Sequence, residues 1–227
     1  MLSMPALCWL CLMPLNLARH GACSVCLRHL MQQRPDCPRC GLTSGRTGEV
    51  CRRCLKKSPP WQHLITVTRW QPPMKQLVNR LKFYRTTALA VMLARLILLR
   101  WLAEHRRGGL RRPDLLLSVP LHSYRAWRRG YNQLDDMAQQ LAHWTRCRYL
   151  PQGLVRIRAG RVQHRLGALA RRRNLRGAFR VRADVRGRHV ALLDDVVTTG
   201  STVAEISRML LAAGAASVQI WCLCRTL

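Results

Sequence analysis

Two sets of residues in this chain have types and spacings that can do chemistry. The first runs from Val190 to Thr202: an apolar stretch, the acids Asp194 and Asp195, two valines, then Thr198, Thr199, Gly200, Ser201 and Thr202. Val190 to Leu193 predict a parallel strand covered on both faces. The two acids then fall where that strand ends, the place where open α/β sheets bind ligands. The hydroxyl-rich turn offers a row of backbone N–H groups, Gly200 lacks the Cβ that would block close approach, and a helix beginning near Thr202 adds its positive dipole end. Together these make a phosphate seat. Carboxylates beside a phosphate seat make sense for a sugar phosphate, with the acids accepting from vicinal ribose hydroxyls and a Mg²⁺ offsetting the charge conflict. Simple helix capping accounts for one Asp and one Thr but not for the whole run.

The second set is cysteine. Eight of eleven fall in four Cys-x-x-Cys pairs: Cys8/Cys11, Cys23/Cys26, Cys37/Cys40 and Cys51/Cys54. A two-residue gap turns two thiolates onto one ion, and pairs about a dozen residues apart form a short ribbon or knuckle. The set predicts structural zinc, one ion or two, with two Cys₄ sites if every pair is used. Neighbouring pairs sharing an ion is the preferred arrangement, and a crossed one is the alternative. A disulfide framework belongs to secreted chains, and no secretion signal is recognisable: Met1 to Ala18 lacks a basic start and already contains Cys8 and Cys11. Residues 1–56 show almost no apolar periodicity, so metal should supply their folding energy. Residues 57–60, with Ser58-Pro59-Pro60, read as a linker into a larger domain, 61–227.

The elements that must position the acid pair are legible in outline. His63 to Trp70 alternates and is β-branched, a strand ended by Pro72-Pro73. Met74, Leu77, Val78 and Leu81 have helical spacing, and a second, more buried helix covers Thr86 to His105. Lys82, at the end of the first helix, can reach an anionic ligand, although a solvated helix-end lysine is the commoner case. Leu115 to Pro120 is another buried strand. The loop after it carries Arg125, Arg128 and Arg129, suited to bidentate contact with a pyrophosphate, or else a solvated basic loop. An amphipathic helix follows to about Trp144. Ile206, Met209 and Leu210 face inward on the helix after the acidic run, Gly214 ends it, and Ser217 to Cys224 closes the sheet, with Cys222 and Cys224 as small core residues.

Lys plus Arg number 39 against 10 Asp plus Glu, a net charge of +29. Such a balance points to a polyanionic partner, nucleic acid above all. Only four of these cations are lysine, and a GC-rich genome would produce the same arginine excess. Arg171, Arg172, Arg173 and Arg176 form the densest basic segment, readable as a flap or as a groove for a nucleic-acid backbone. Trp127, Tyr131 and Phe179 are interleaved as stacking partners for a single strand. The most apolar stretch, Ala88 to Ala103, is short and broken by Arg95 and Arg100, so no membrane span is expected and the chain should be cytoplasmic.

Taken together, the four Cys-x-x-Cys pairs, Leu81-Lys82-Phe83-Tyr84, Arg128-Arg129-Gly130-Tyr131-Asn132-Gln133, Gln163 with Arg173-Asn174, and the Asp194–Thr202 run resemble the ComF family over essentially the full length. The acidic run alone resembles the 5-phosphoribosyl-1-pyrophosphate (PRPP) signature of type I phosphoribosyltransferases. The resemblance implies an open, mostly parallel α/β sheet flanked by helices, of type I phosphoribosyltransferase kind, behind a small Cys-rich double zinc-ribbon domain. It implies that Asp194 and Asp195 hold the ribose diol, that Thr198 to Thr202 hold the 5-phosphate, and that the loop from Pro120 and Leu121 to Arg129 lies on the pyrophosphate side, with Mg²⁺ accompanying PRPP. It further implies uptake or use of external DNA, with PRPP or a nucleotide, single-stranded DNA and DNA-uptake machinery as partners. An active transferase with an unidentified acceptor is the alternative, and no catalytic residue is assigned.

Overall fold

The computed structural model describes residues 6–32, 34–83, 86–120, 132–157, 175 and 177–226. Its centre is a five-stranded parallel sheet. In chain order the strands are β1 (His63–Arg69), β2 (Leu115–Ser118), β3 (Arg148–Tyr149), β6 (His189–Val197) and β7 (Ser217–Arg225). Across the sheet they lie β1-β7-β6-β2-β3, every neighbour parallel. A short antiparallel pair, β4 (Leu154–Arg156) and β5 (Phe179–Val181), stands apart from it. The helices are α1 (Ser24–Leu30), α2 (Arg52–Lys56), α3 (Met74–Phe83), α4 (Thr87–Arg106), α5 (Leu134–Thr145) and α6 (Ser201–Ala212).

Both faces of the sheet are covered, which is why its central strands read as unbroken apolar runs. On one face α3, α4 and α5 pack over Ile65, Val67, Leu116, Ala191, Leu193, Trp221 and Leu223. On the other, α6 and β5 pack over Leu64, Leu117, Val190, Leu192, Val218 and Ile220. Alternate residues of β6 thus serve opposite layers, and Val190 to Leu193 are all fully buried. No helix among the described residues is long and apolar enough to cross a membrane. In α4, Arg100 donates to the carbonyls of Leu30 and Gln32, tying that helix to the cysteine-rich segment.

That segment has a core, but a borrowed one. Cys8 and Ala22 lie inside the main hydrophobic cluster, and Trp9, Leu10, Leu15, Leu27 and Leu30 pack against it. The second half of the segment lies along β1, the edge strand. The Leu64 N–H donates to the Pro38 carbonyl at 2.9 Å, and the Val67 carbonyl accepts from Arg34 at 2.7 Å. An exposed edge is a template for unwanted pairing, and here the cysteine-rich chain covers it.

Candidate functional site

The acids lie deeper in a strand than the sequence indicates. β6 does not stop before Asp194 but continues to Val197. The reason is its neighbours: β7 pairs with β6 as far as Val197↔Arg225, whereas β2 is in register only to Ser118↔Leu193, with a last bond from the Val119 N–H to the Leu193 carbonyl. Beyond Leu193, β6 therefore keeps one partner and opens on its other side. Asp194 and Asp195 stand in that opening, at the carboxyl ends of the strands, where ligands sit in such sheets.

Two elements converge on Asp195. From the end of α3, the Lys82 ammonium lies 3.2 Å from its carboxylate, with both side chains largely shielded (22% and 14% exposed). From the start of α5, the Gln133 amide donates to the same oxygen at 3.0 Å. The Asp194 carboxylate accepts the Asp195 N–H at 2.9 Å. Burial, reinforced by the Asp195 charge, pushes Asp194 up to about 7 against the opposing pull of that N–H and of Lys82. Asp194 therefore holds its proton more readily than an exposed acid, and a ligand that donates hydroxyls to it or brings positive charge would favour its ionised form, the proton leaving to solvent. Burial also pushes the thiols of Cys222 and Cys224, on the adjacent strand, up to about 12, so both stay neutral core groups.

After Val197 the chain turns into α6, which starts at Ser201, one residue before the sequence-based expectation. Gly200 takes the left-handed conformation (φ 76°) at the helix N-cap, and a Cβ there would lie 3.4 Å from the Trp61 ring. The glycine is needed for its backbone angle more than for open space. Gly200 itself offers no side chain to cap the helix. The Thr199 and Ser201 hydroxyls are 2.8 Å apart and Thr199 accepts the Ser201 N–H, while Thr198 and Thr199 remain exposed. The turn is thus a hydroxyl-lined helix entrance a few residues from the acids, and a helix entrance of this kind is chemically able to receive an anion.

Opposite, at the end of β2, Ser118 receives the Asn132 amide at 3.3 Å and lies 3.1 Å from the Tyr149 hydroxyl, which donates to Asp135 at 2.5 Å. This network fixes the start of α5 and hence Gln133. Pro120 lies two residues beyond β2 on this side. Leu121, Arg125, Arg128 and Arg129, with Arg171, Arg172, Arg173 and Arg176, lie outside the described residues. A cleft of about 430 Å³ lined by Arg39, His63, Arg111 and His189 is at the opposite, amino-terminal ends of the strands, remote from the acids.

The eight paired cysteines form two groups: Cys8, Cys11, Cys23 and Cys26, and Cys37, Cys40, Cys51 and Cys54. Within each group the sulfurs lie within 4.8 Å of one another. Neighbouring pairs therefore come together, and not crossed ones. Cys11 to Cys23 and Cys40 to Cys51 are each 3.7 Å, and all these cysteines are free thiols. A zinc tetrahedron with Zn–S bonds of about 2.3 Å has edges of about 3.8 Å, so the donor sets fit that ion. Backbone N–H groups support the sulfurs, from Cys23 to Cys8 and from Cys51 to Cys37.

Gln133 and Arg225 are neighbours of the acids and of the turn that sequence reasoning did not assign, while Lys82, read there as able to reach an anionic ligand, meets Asp195. Only Arg225 carries a local signal, a charge ending a nine-residue strand in which every residue is buried.

Residues 126–227 match the phosphoribosyl transferase domain family. Over all 227 residues the chain is 53% identical to a DNA utilization protein YhgH of Salmonella typhi, covering 100% of both. It is 36% identical over 214 residues to Competence protein F of Haemophilus influenzae, 93% of each chain. A 39-residue stretch is 56% identical to a ribose-phosphate pyrophosphokinase of Methanosarcina acetivorans, covering 17% of this chain and 14% of that one. With the parallel sheet, the acid pair at its carboxyl edge and the two four-cysteine groups, these likenesses place the chain in the ComF family of competence and DNA-utilization proteins, on a type I phosphoribosyltransferase-like fold.

Proposed function

We propose that this protein serves the uptake or use of external DNA and binds a phosphorylated ribose, as PRPP or as a nucleotide, in the opening beside the end of β6 where its pairing with β2 stops. One observation carries the reading: Asp194 and Asp195, with Lys82 and Gln133 around Asp195, stand a few residues before the hydroxyl-lined, glycine-opened entrance of α6. The acids would accept from the ribose diol and residues 198–202 would hold the 5-phosphate. Lys82 and Gln133 keep Asp195 in place while the site awaits its ligand. A Mg²⁺ accompanying PRPP would supply positive charge between diol and pyrophosphate, with Asp194 and Asp195 as the nearest acids. Residues 1–56 would be organised by Zn²⁺ in each four-cysteine group. The names of the full-length relatives and the charge of +29 favour single-stranded DNA and DNA-uptake proteins as partners, in the cytoplasm, with Arg171, Arg172, Arg173 and Arg176 among the phosphate contacts.

The second reading is turnover: transfer of the phosphoribosyl group from PRPP to an acceptor, with pyrophosphate leaving. The intact acid pair and loop favour it, and detection of pyrophosphate release with candidate acceptors would establish it. For the binding role, fluorescence anisotropy of a labelled single-stranded oligonucleotide across salt concentrations is the test. Log affinity should fall against log salt with a slope of about −0.7 per neutralised phosphate. Affinity that is undetectable at low salt would remove the DNA partner.

A further inference from the structure

One side chain joins the cysteine-rich segment to the phosphate loop. Arg225, the last residue of β7, is 7% exposed, and its charge is held by carbonyl oxygens. Its Nε donates to the Cys40 carbonyl at 2.9 Å. Its Nη1 donates to the carbonyls of Val197 at 2.9 Å and Thr226 at 2.8 Å, and also to that of Thr198. Cys40 belongs to the second four-cysteine group. Val197 and Thr198 are the residues through which β6 becomes the phosphate loop.

Peptide planarity gives these bonds directional force. A carbonyl and the following N–H share one rigid plane and point in opposite directions. Holding the Val197 and Thr198 carbonyls toward Arg225 therefore aims the N–H groups of Thr198 and Thr199 away from it. On the other side, the Cys40 carbonyl is set by a tight knuckle: the Gly41 N–H bonds the Cys37 carbonyl, and the Cys37 N–H bonds the Leu42 carbonyl. Gly41 is left-handed (φ 68°), and a Cβ there would fall 2.8 Å from the Leu64 side chain, so the knuckle lies tight on the sheet. Four thiolates around a divalent ion would leave a net charge of −2, and Arg225 is a buried cation bonded to the backbone of one of the four cysteines. The first four-cysteine group makes no such link among the described residues and instead rests in the core beneath α4.

We infer that Arg225 is a positioning residue coupling the second four-cysteine group to the phosphate loop, so that a metal ion held by Cys37, Cys40, Cys51 and Cys54 sets the loop for its ligand. The consequence for ligand binding rests on the ribose-phosphate reading, whereas the coupling to the loop does not. Reciprocity follows: if the metal tightens ligand binding, the ligand tightens metal binding at this group by the same factor.

The test uses the full zinc-loaded chain and four variants: Cys51→Ser in the second group, Cys11→Ser in the first, Arg225→Met and Arg225→Lys. Hydrogen exchange of the amides of residues 198–202 is read first. It should quicken on the order of tenfold in Cys51→Ser and Arg225→Met, remain as in the wild type in Cys11→Ser, and be partly restored in Arg225→Lys. Mg²⁺–PRPP affinity by calorimetry should fall by about the same factor in the first two. Unchanged loop exchange in Cys51→Ser and Arg225→Met would overturn the coupling, as would equal quickening in Cys11→Ser. Should Arg225→Met not fold, the two cysteine variants decide alone. A wild type giving no heat with PRPP would defeat the ribose-phosphate reading and leave the exchange result standing.

Discussion

Replacing Asp194 with asparagine isolates the electrostatic design of the site. In the folded protein this carboxyl is pushed up to about 7, from an ordinary value of 3.8, because burial and Asp195 both oppose its charge. The fold therefore binds this proton more tightly than the unfolded chain does. The resulting stabilisation is full below pH 3.8 and is lost as pH rises through about 7. A difference of roughly 3 pKa units at 1.36 kcal/mol each amounts to about 4 kcal/mol over that window, with a slope never exceeding about 1.4 kcal/mol per pH unit. Asparagine keeps the shape and has no proton to lose. Urea unfolding of wild type and Asp194→Asn at pH 5, 6, 7 and 8, both zinc-loaded and ligand-free, should show the variant gaining on the wild type by about 2–3 kcal/mol between pH 5 and 8, the rest being lost already below pH 5. Titration of the cysteine groups is common to both proteins and cancels in the difference. A difference that stays flat within about 0.5 kcal/mol across the series would refute the reasoning.

Other perturbations act on neighbouring parts of the account. Lys82→Met leaves Asp195 without its ammonium in a mostly shielded position, and denaturant unfolding at pH 7 should show a loss of about 2–4 kcal/mol. Gly200→Ala forces a left-handed angle on a residue with a Cβ, and the same assay should show a loss of about 1–2 kcal/mol. Native mass spectrometry should find two zinc ions per chain and one in Cys51→Ser. Complete chelation should expose the cysteine-rich segment to protease while stripping the borrowed core of its cover.

What was legible in the sequence follows the range over which each signal acts. Val190 to Leu193 and the acids after them are a local pattern, and the structure places them in a central strand at the carboxyl edge of the sheet. That β6 continues past Asp195 depends on pairing with β7 more than twenty residues on, which no local run encodes. Helical spacing located α3, including Met74, Leu77, Val78 and Leu81, all of them buried. It could not show that α3 packs against β7 with its end near β6, so that Lys82, commonly a solvated residue at such a position, reaches Asp195. The same holds for Gln133 and Arg225, whose partners lie 62 and 28 residues away. Cysteine spacing gave the metal-type pairs, while which pairs share an ion depended on how the chain folds back. The early cysteine segment looked coreless because Trp9, Leu27 and Leu30 carry no periodicity of their own; their apolar partners belong to the larger unit.

The central claim is that the acid pair and the α6 entrance form one site for a phosphorylated pentose. Isothermal titration of the zinc-loaded chain with PRPP and Mg²⁺ tests it most directly, with Asp195→Ala and inorganic phosphate as controls. The account predicts one ligand per chain in the wild type, binding weakened at least tenfold in Asp195→Ala, and phosphate alone binding more weakly than PRPP. Wild-type protein giving no saturable heat, or an Asp195→Ala variant binding as tightly as the wild type, would contradict it.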